Sequence, residues 1–567
     1  ADSNNSETPE LLAILFALLG DLNKSLFYSK MAAAFPPREE LKQLIPPTLP
    51  TLANSFLKVE EKPLLGRGLL SAANHEWYAA IHWFQQQIQY EPENKEGYTA
   101  LASVFSVLGR FREALDTLRS YAHIVAADPE TLSSIGTLLT SLGEFESASN
   151  CHYLATKAAP DDIELNAAAL TDTFSTPNLD GQAIAIKCND WMKRFAPELG
   201  TDNFSIDSDK DKLTVGFVIG PFNRRNPSYP FAEILAYRDE DKFNTIGFGF
   251  GALADGSNTH LQKAFDIWHD TRDMDPYTLS SMIEAEEVDI LVDMCGFDIP
   301  HLVRIFGSRV APVQVSWRGT PYGSGSDTVD YRISDAYGED GIDPSLYKEQ
   351  VIHLAGSSQL VSTPKLLNIE KVNAPDIPLT FGADVSFSQL TGKTIRAWVE
   401  ILLNAPKSQL ALWDHNFSFP ENAQKLIGLF GCYGLAHRID ILNIDEKADF
   451  YANIDVLLYP LAPENQDITL DPVQNGIPVV CLKGDNFLER GMANVLTEVG
   501  VGENCVANSL DEYVKLALDW VNEETRHDFS EKIRGKITDS PLFNYKVRAK
   551  ELGLTFERMW KEAAEKS

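Results

Sequence analysis

The sequence contains no run of about 18 uncharged apolar residues of the kind that crosses a bilayer. It is also short of basic residues: 49 Lys and Arg stand against 81 Asp and Glu, a formal net charge of -32. So acidic a surface opposes sequence-independent attraction to nucleic acid and to anionic lipid. Neither partner is expected, and neither is membrane insertion. A few local cations or a helix N-terminus still suffice for a small phosphorylated ligand. Cysteine is sparse as well, with six residues and no C-x-x-C spacing, which argues against a structural zinc site and against a disulfide scaffold. The thiols are expected to be reduced and mostly buried, and no metal is expected. The apolar stretch LLAILFALLG at 11–20 has no basic region before it and no clear small-residue cleavage site. It reads as a helix of an N-terminal domain rather than a leader, and the cytoplasm is the expected location.

What is present falls into two patterns. At 567 residues the chain exceeds one core, so two to four domains are expected. In the first part Ala80, Ala114 and Ala148 recur every 34 residues, as do Trp77, Phe111 and Phe145. Gly109 and Gly143 stand in the preceding turns, Pro92 and Pro160 close their units, and Pro129 closes the middle unit three residues late. A small residue lets two helices approach while the aromatic fills the space beside it, and each pair buries its open face on the next. The pattern is that of tetratricopeptide repeats, which commonly hold peptides or protein partners. A poorer copy is visible in LLGDLNKSLFYSKMAAAFPP, followed from 38 to 70 by an irregular or degenerate pair.

After ELGTDNFSIDSDKDK the period changes. Apolar runs at 213–220, 243–251, 288–296, 312–319, 408–415, 438–443, 455–461 and 478–484 alternate with helical segments. Continuous apolar strands separated by helices predict parallel sheets covered on both faces. The expected division is an all-α repeat domain at 1–205 and two Rossmann-like α/β domains at 206–378 and 379–567, facing a cleft. Ligands gather where such strands end at their carboxyl side. The polar stretch PLAPENQDITLDPVQNGIP at 460–478 is in that position. Asp467 or Thr469 is expected to cap a helix starting near Leu470 or Asp471, whose free N–H groups offer a phosphate site; a plain capped loop is the alternative.

Four segments together, APVQVSWRGTPYGSGSDTVDYRISD, DVLLYPLAPENQDITLDPVQNGIPVV, KGDNFLERGMANVL and SPLFNYKVRAKELGLTFERMW, resemble the protein glycosyltransferases typified by O-linked N-acetylglucosamine transferase. With the repeats, the resemblance covers nearly the whole chain and looks like a divergent bacterial-type member. It implies a GT-B fold and inverting transfer from a UDP-sugar, such as UDP-GlcNAc or another UDP-hexose, to Ser or Thr hydroxyls of a protein. It implies no tightly bound cofactor and no required metal. A protein acceptor held partly by the repeats follows from it, and a homodimer is compatible with it.

Carried over by motif, SFSQLTGKT places Gln389 and Lys393 at the diphosphate, Asp471 on the ribose, and Lys447 where the family has a nucleotide-pocket histidine. Gln466, Asp467 and Ile468 replace a histidine and two threonines. Asn226, in GPFNRRNPSYP, replaces another histidine near the acceptor and cannot act as a general base. Lys393 and Asp467 are the first catalytic candidates, with His301 and Asn226 on the acceptor side and Asp298 and His415 as further possibilities. Gly319 and Pro321, with Gly323 and Gly325, form a tight loop expected to approach a ligand by its backbone, with Trp317 packed beneath it. Arg490 is expected to pair with an acidic neighbour and fix its loop. Two other readings stand beside this one: transfer of an acidic sugar from a CMP-nonulosonate to flagellin or another surface protein, its carboxylate met by Arg224, Arg225 and Arg318, and a non-catalytic binding scaffold.

Overall fold

The computed structural model describes residues 63 to 566 apart from 75, 126–127, 178–179, 200–203, 205, 221–227, 250–258, 273, 319, 321, 370–377, 415–416, 418–419, 443, 445–446 and 464–467. The early repeat copy therefore lies outside the described residues. Among the described residues eight helices form the array: α1 (Pro63–Ala73), α2 (Trp77–Tyr90), α3 (Lys95–Val107), α4 (Phe111–Ile124), α5 (Pro129–Ser141), α6 (Phe145–Ala158), α7 (Ile163–Phe174) and α8 (Gly181–Phe195). The three aromatics open α2, α4 and α6. Ala80 and Ala114 are 0% exposed and Ala148 is 2% exposed, as close helix approach requires. Gly109 and Gly143 take φ of 68° and 75°, a region in which a side chain is strained.

Two expectations for the array need correction. Pro129 does not close a repeat; it occupies the first turn of α5, where a missing N–H costs nothing. Asp128 before it is the N-cap, and Asn94 and Asp162 cap α3 and α7 at the same interval, their side chains accepting from Glu96, Thr131 and Leu165 N–H groups. The end of the stretch expected to be irregular is helical: α1 buries Leu65, Leu69 and Ala72, spaced along one face, against the core formed by α2 and α3.

The next region builds a seven-stranded sheet from β1 (Leu213–Ile219), β2 (Phe243–Gly249), β3 (Ile267–Asp270), β4 (Ile290–Asp293), β5 (Val313–Ser316), β6 (Tyr331–Asp335) and β7 (Gln350–Leu354), in the order β3-β2-β1-β4-β5-β6-β7. A second sheet contains β8 (Leu379–Asp384), β9 (Ser408–Trp413), β10 (Ile439–Ile441), β11 (Val456–Leu458), β12 (Val479–Leu482) and β13 (Val506–Ala507), in the order β10-β9-β8-β11-β12-β13. All pairings are parallel. Each order reverses once, between β1 and β4 and between β8 and β11, and these are the crevices where loops diverge and ligands bind.

The C-terminal helix Tyr545–Lys566 returns to the first sheet, adding Ala549, Leu552, Phe556, Met559 and Trp560 to its core. Polar contacts join the two sheets' domains. Asp335, at the end of β6, accepts both of its Asn494 bonds (3.0 and 2.9 Å) while holding Ser358. Arg490 donates to the Gly338 and Asp340 carbonyls across the interface, and to the carbonyls of Gly484 and Asp485 in its own loop. Among the described residues its partners are thus carbonyl oxygens rather than the acidic neighbour expected, and the loop it fixes is tied to the opposite domain. Among the described residues no helix is long and apolar enough to cross a membrane, and all six cysteines are free, four of them buried.

Candidate active site

At the β8/β11 crevice a small pocket is lined by Asp384, Gln389, Tyr451, Tyr459, Thr469 and Met492, with Leu457, Leu458 and Pro460. Local sequence explains how each wall is held. Ser386 and Gln389 form a reciprocal capping box around the three-residue turn Phe387–Gln389, which fixes Gln389 at 2% exposure. Its Oε1 accepts from Ser386 N (3.1 Å), and the residue lines the pocket. Thr391 then caps the 13-residue helix Gly392–Asn404, whose second residue is the half-buried Lys393. Lys393 makes no ion pair with a described residue. The loop after β11 is stapled to this helix start, since Leu461 N donates to Thr394 Oγ1 (3.2 Å). A buried chain from Trp398 Nε1 to the Tyr513 hydroxyl (3.1 Å) and on to the Tyr459 carbonyl (2.9 Å) supports it from below.

The pocket is acidic on one side. Burial raises the Tyr451 hydroxyl well above its ordinary range, with Asp471 and Asp384 adding to the effect and a hydrogen bond with Thr469 opposing it. Tyr451 therefore stays a neutral phenol between two carboxylates. Carboxylates accept hydrogen bonds and repel phosphate, so this side suits the hydroxyls of a ribose or sugar. Lys447 reaches the same place from the edge, its Nζ 3.8 Å from Asp384 Oδ2.

Asp471 opens the helix Asp471–Gln474. Its Oδ1 accepts from Lys365 N (2.8 Å), tying the connection between the sheets to the pocket rim, and Oδ2 has no donor among the described residues. That helix does not supply the anion site expected of it. It has four residues, Pro472 brings no N–H, and the Asp471 N–H is taken by Thr469 Oγ1 at 3.2 Å. The longer helix start at this crevice is that of Gly392–Asn404, where Thr391 accepts from Thr394 N and the Gly392 and Lys393 N–H groups have no partner among the described residues.

The β1/β4 crevice carries the other candidates. Asp293 ends β4 at 0% exposure, and its Oδ1 accepts from Cys295 N (3.0 Å) and Gly296 N (2.9 Å), shaping the following turn. Complete burial pushes its carboxyl up to about 6, against the pull of those two N–H groups. Asp298, in the same turn, is open to solvent on one side yet walled in enough to be raised, with Arg318 opposing. His301 is half-buried in the short helix Pro300–Val303 that follows.

Two glycines of the loop after β5 approach other parts of the protein closely. A Cβ on Gly325 would lie 2.5 Å from the Cys188 backbone of α8, and one on Gly323 would lie 2.9 Å from Glu349 Oε2. Asn189 Nδ2 also donates to the Gly325 carbonyl (3.1 Å). Gly325 thus seats the first sheet's domain on the repeat array, while Gly323 packs the loop against that domain's own Glu349. Trp317 packs edge-on against Phe231 (5.8 Å between rings) in the core. Asn226, Gly319, Pro321, His415, Gln466 and Asp467, with Arg224 and Arg225, lie outside the described residues. The structure thus places Gln389 in the pocket wall, Lys447 beside the wall residue Asp384 and Asp471 close enough to influence Tyr451, with Lys393 on the neighbouring helix start, and it places His301 and Asp298 at the other crevice. Asp384, Tyr451, Tyr459 and Met492 were missed by the sequence reading. Asp384 alone had a signal, as the polar end of an apolar strand.

The family described as Glycosyl transferase family 41 matches residues 201–360 and 341–552, more than half of the chain and both crevices. The chain belongs to glycosyl transferase family 41. Among curated relatives, the probable UDP-N-acetylglucosamine–peptide N-acetylglucosaminyltransferases SPINDLY of Oryza sativa subsp. japonica and Arabidopsis thaliana are each 26% identical, over 395 and 389 residues. Each alignment covers 66% of this chain and 42% of the relative. The corresponding SEC protein of Arabidopsis thaliana is 21% identical over 373 residues, 62% of this chain and 37% of that protein. The chain spans less than half the length of these relatives. A solved mutant of the Thermobaculum terrenum O-GlcNAc transferase superposes with a TM-score of 0.79 at 21% identity, covering 94% of this family 41 chain and 100% of that one. That likeness shows the fold: a helical repeat array followed by the two sheet domains of the GT-B arrangement.

Proposed function

We propose that this family 41 chain moves a sugar from a uridine diphosphate donor to Ser or Thr hydroxyls of a protein, with inversion. The observation that carries the reading is the division of charge at the β8/β11 crevice. Asp384, Asp471 and Tyr451 form a hydrogen-bond-accepting side for ribose and sugar hydroxyls, and the start of the helix Gly392–Asn404 with Lys393 forms a cationic side. As the glycosidic bond breaks, charge grows on the diphosphate, and a helix N-terminus with a lysine offsets it where it develops. Gln389 donates to the diphosphate or the sugar from a turn that is already rigid, so little ordering is left to the reaction step. Asp467 contacts the sugar or orients the acceptor from the loop after β11. The acceptor hydroxyl enters from the β1/β4 crevice, where His301 stands, and the repeats hold the rest of the acceptor protein.

The names of the SPINDLY and SEC relatives support a UDP-N-acetylglucosamine donor and a peptide acceptor. The test is incubation of the full chain with UDP-GlcNAc or other UDP-hexoses and a protein extract. Acceptor-dependent UDP release with an N-acetylhexosamine- or hexose-sized mass increment on Ser or Thr, matching the donor supplied, supports the proposal. CMP release from a nonulosonate donor, or no nucleotide release with any donor, refutes it.

A further inference from the structure

The repeat array touches the donor pocket's own scaffold. Gly143, in the turn between α5 and α6, has φ of +75°, and a Cβ placed on it would lie 3.2 Å from the carbonyl oxygen of Phe387. Phe387 begins the three-residue turn that ends in the pocket residue Gln389. On the far side, the Phe387 ring packs edge-on against Phe417, 5.1 Å away, and carries the Lys425 ammonium 5.4 Å from its centroid. Lys425 is in turn flanked by two residues of the array, Glu144 and Arg112, which pair with each other at 3.2 Å. The turn presenting Gln389 is therefore clamped between its own domain and a repeat more than 240 residues earlier in the chain.

We infer that Gly143 is a positioning residue of the donor pocket: the bare backbone at this turn lets the array seat on the Phe387 carbonyl and hold Gln389 where the donor needs it. The inference rests on the reading of the β8/β11 crevice as the donor site. It gives the array a part in donor binding in addition to acceptor recognition. Because coupling between sites is reciprocal, a partner that moves the α5–α6 turn changes donor affinity, and donor binding changes affinity for that partner by the same factor.

The test uses the full chain and calorimetric titration with UDP. Gly109 stands at the same place one repeat earlier with φ of 68°, so G109A and G143A carry the same kind of backbone strain. Only G143A adds a Cβ against Phe387. Both are expected to lower the melting temperature, whereas UDP affinity should fall about fivefold or more in G143A and stay within about twofold of the parent in G109A. K425A, which removes the cation between Phe387 and Glu144 without touching the backbone, should also weaken UDP binding, and it decides the matter if G143A does not fold. Parental affinity in G143A, or in K425A when G143A cannot be tested, overturns the inference, as does an equal loss in G109A and G143A. Absence of UDP binding by the parent chain would instead remove the donor-site reading beneath it.

Discussion

Asparagine in place of Asp293 removes a charge while keeping the shape of the β4 turn, because an amide oxygen still accepts from the Cys295 and Gly296 N–H groups. In the parent, burial raises the carboxyl from 3.8 to about 6. A folded-state value above the unfolded one means that the folded chain holds the proton more tightly. Stability from this group is then fully present below the unfolded value and falls as pH rises toward and through about 6. The whole penalty is about 3 kcal/mol, of which a little under half accrues between about pH 5 and about pH 8. The Asp293→Asn variant has no such titration, although its amide donors replace an Oδ2 that has no partner among the described residues and cost about 1–3 kcal/mol at every pH. The assay is urea unfolding of both proteins across that range, followed by a probe of the first sheet's domain. The difference between them should move in favour of the variant by about 1 kcal/mol from the acid to the alkaline end. A pH-independent difference would refute the claim that Asp293 is buried with a raised carboxyl.

Three further outcomes follow from the same geometry. K393A should reduce turnover by about 100-fold or more while UDP dissociation changes far less, since the lysine acts on charge that develops as the bond breaks; steady-state kinetics beside calorimetry decides this. D471A should lose about 1–3 kcal/mol of UDP affinity through a ribose hydroxyl, and it should also loosen the Lys365 strap, visible as faster amide exchange at residues 363–369. A114F forces a bulky ring into a fully buried helix contact and should destabilise the array by about 1–3 kcal/mol, read from thermal unfolding of the full chain.

The parts of the fold legible in the sequence were those whose burial leaves a periodic or continuous apolar record. The 34-residue recurrence of Ala80, Ala114 and Ala148 and the eight apolar runs are of this kind. β6 was not legible, because its sequence YRISD carries a buried arginine: Arg332 is satisfied by the Thr320 carbonyl (2.7 Å) and Glu339 (3.4 Å), between the rings of Tyr347 and Phe487. Such a strand looks polar until its partners are in place. β3 is a sheet edge with half-exposed residues and gives no continuous run. At the candidate site, Gln389, Lys393 and Asp471 were found by motif. Tyr451 was not, since a buried tyrosine in a short helix looks like core until Asp384 and Asp471 are seen beside it. The loop with Gly323 and Gly325 shows the opposite case: close backbone approach was correctly required there, but the surfaces approached are helix α8 and Glu349.

The central claim, a uridine diphosphate donor site at the β8/β11 crevice, is tested most directly by calorimetric titration of the full chain with UDP, GDP and CMP in parallel. Tight, saturable binding of UDP, with GDP and CMP weaker and with UDP binding reduced in D471A, is the predicted result. Clear binding of CMP under conditions where UDP does not bind would contradict it.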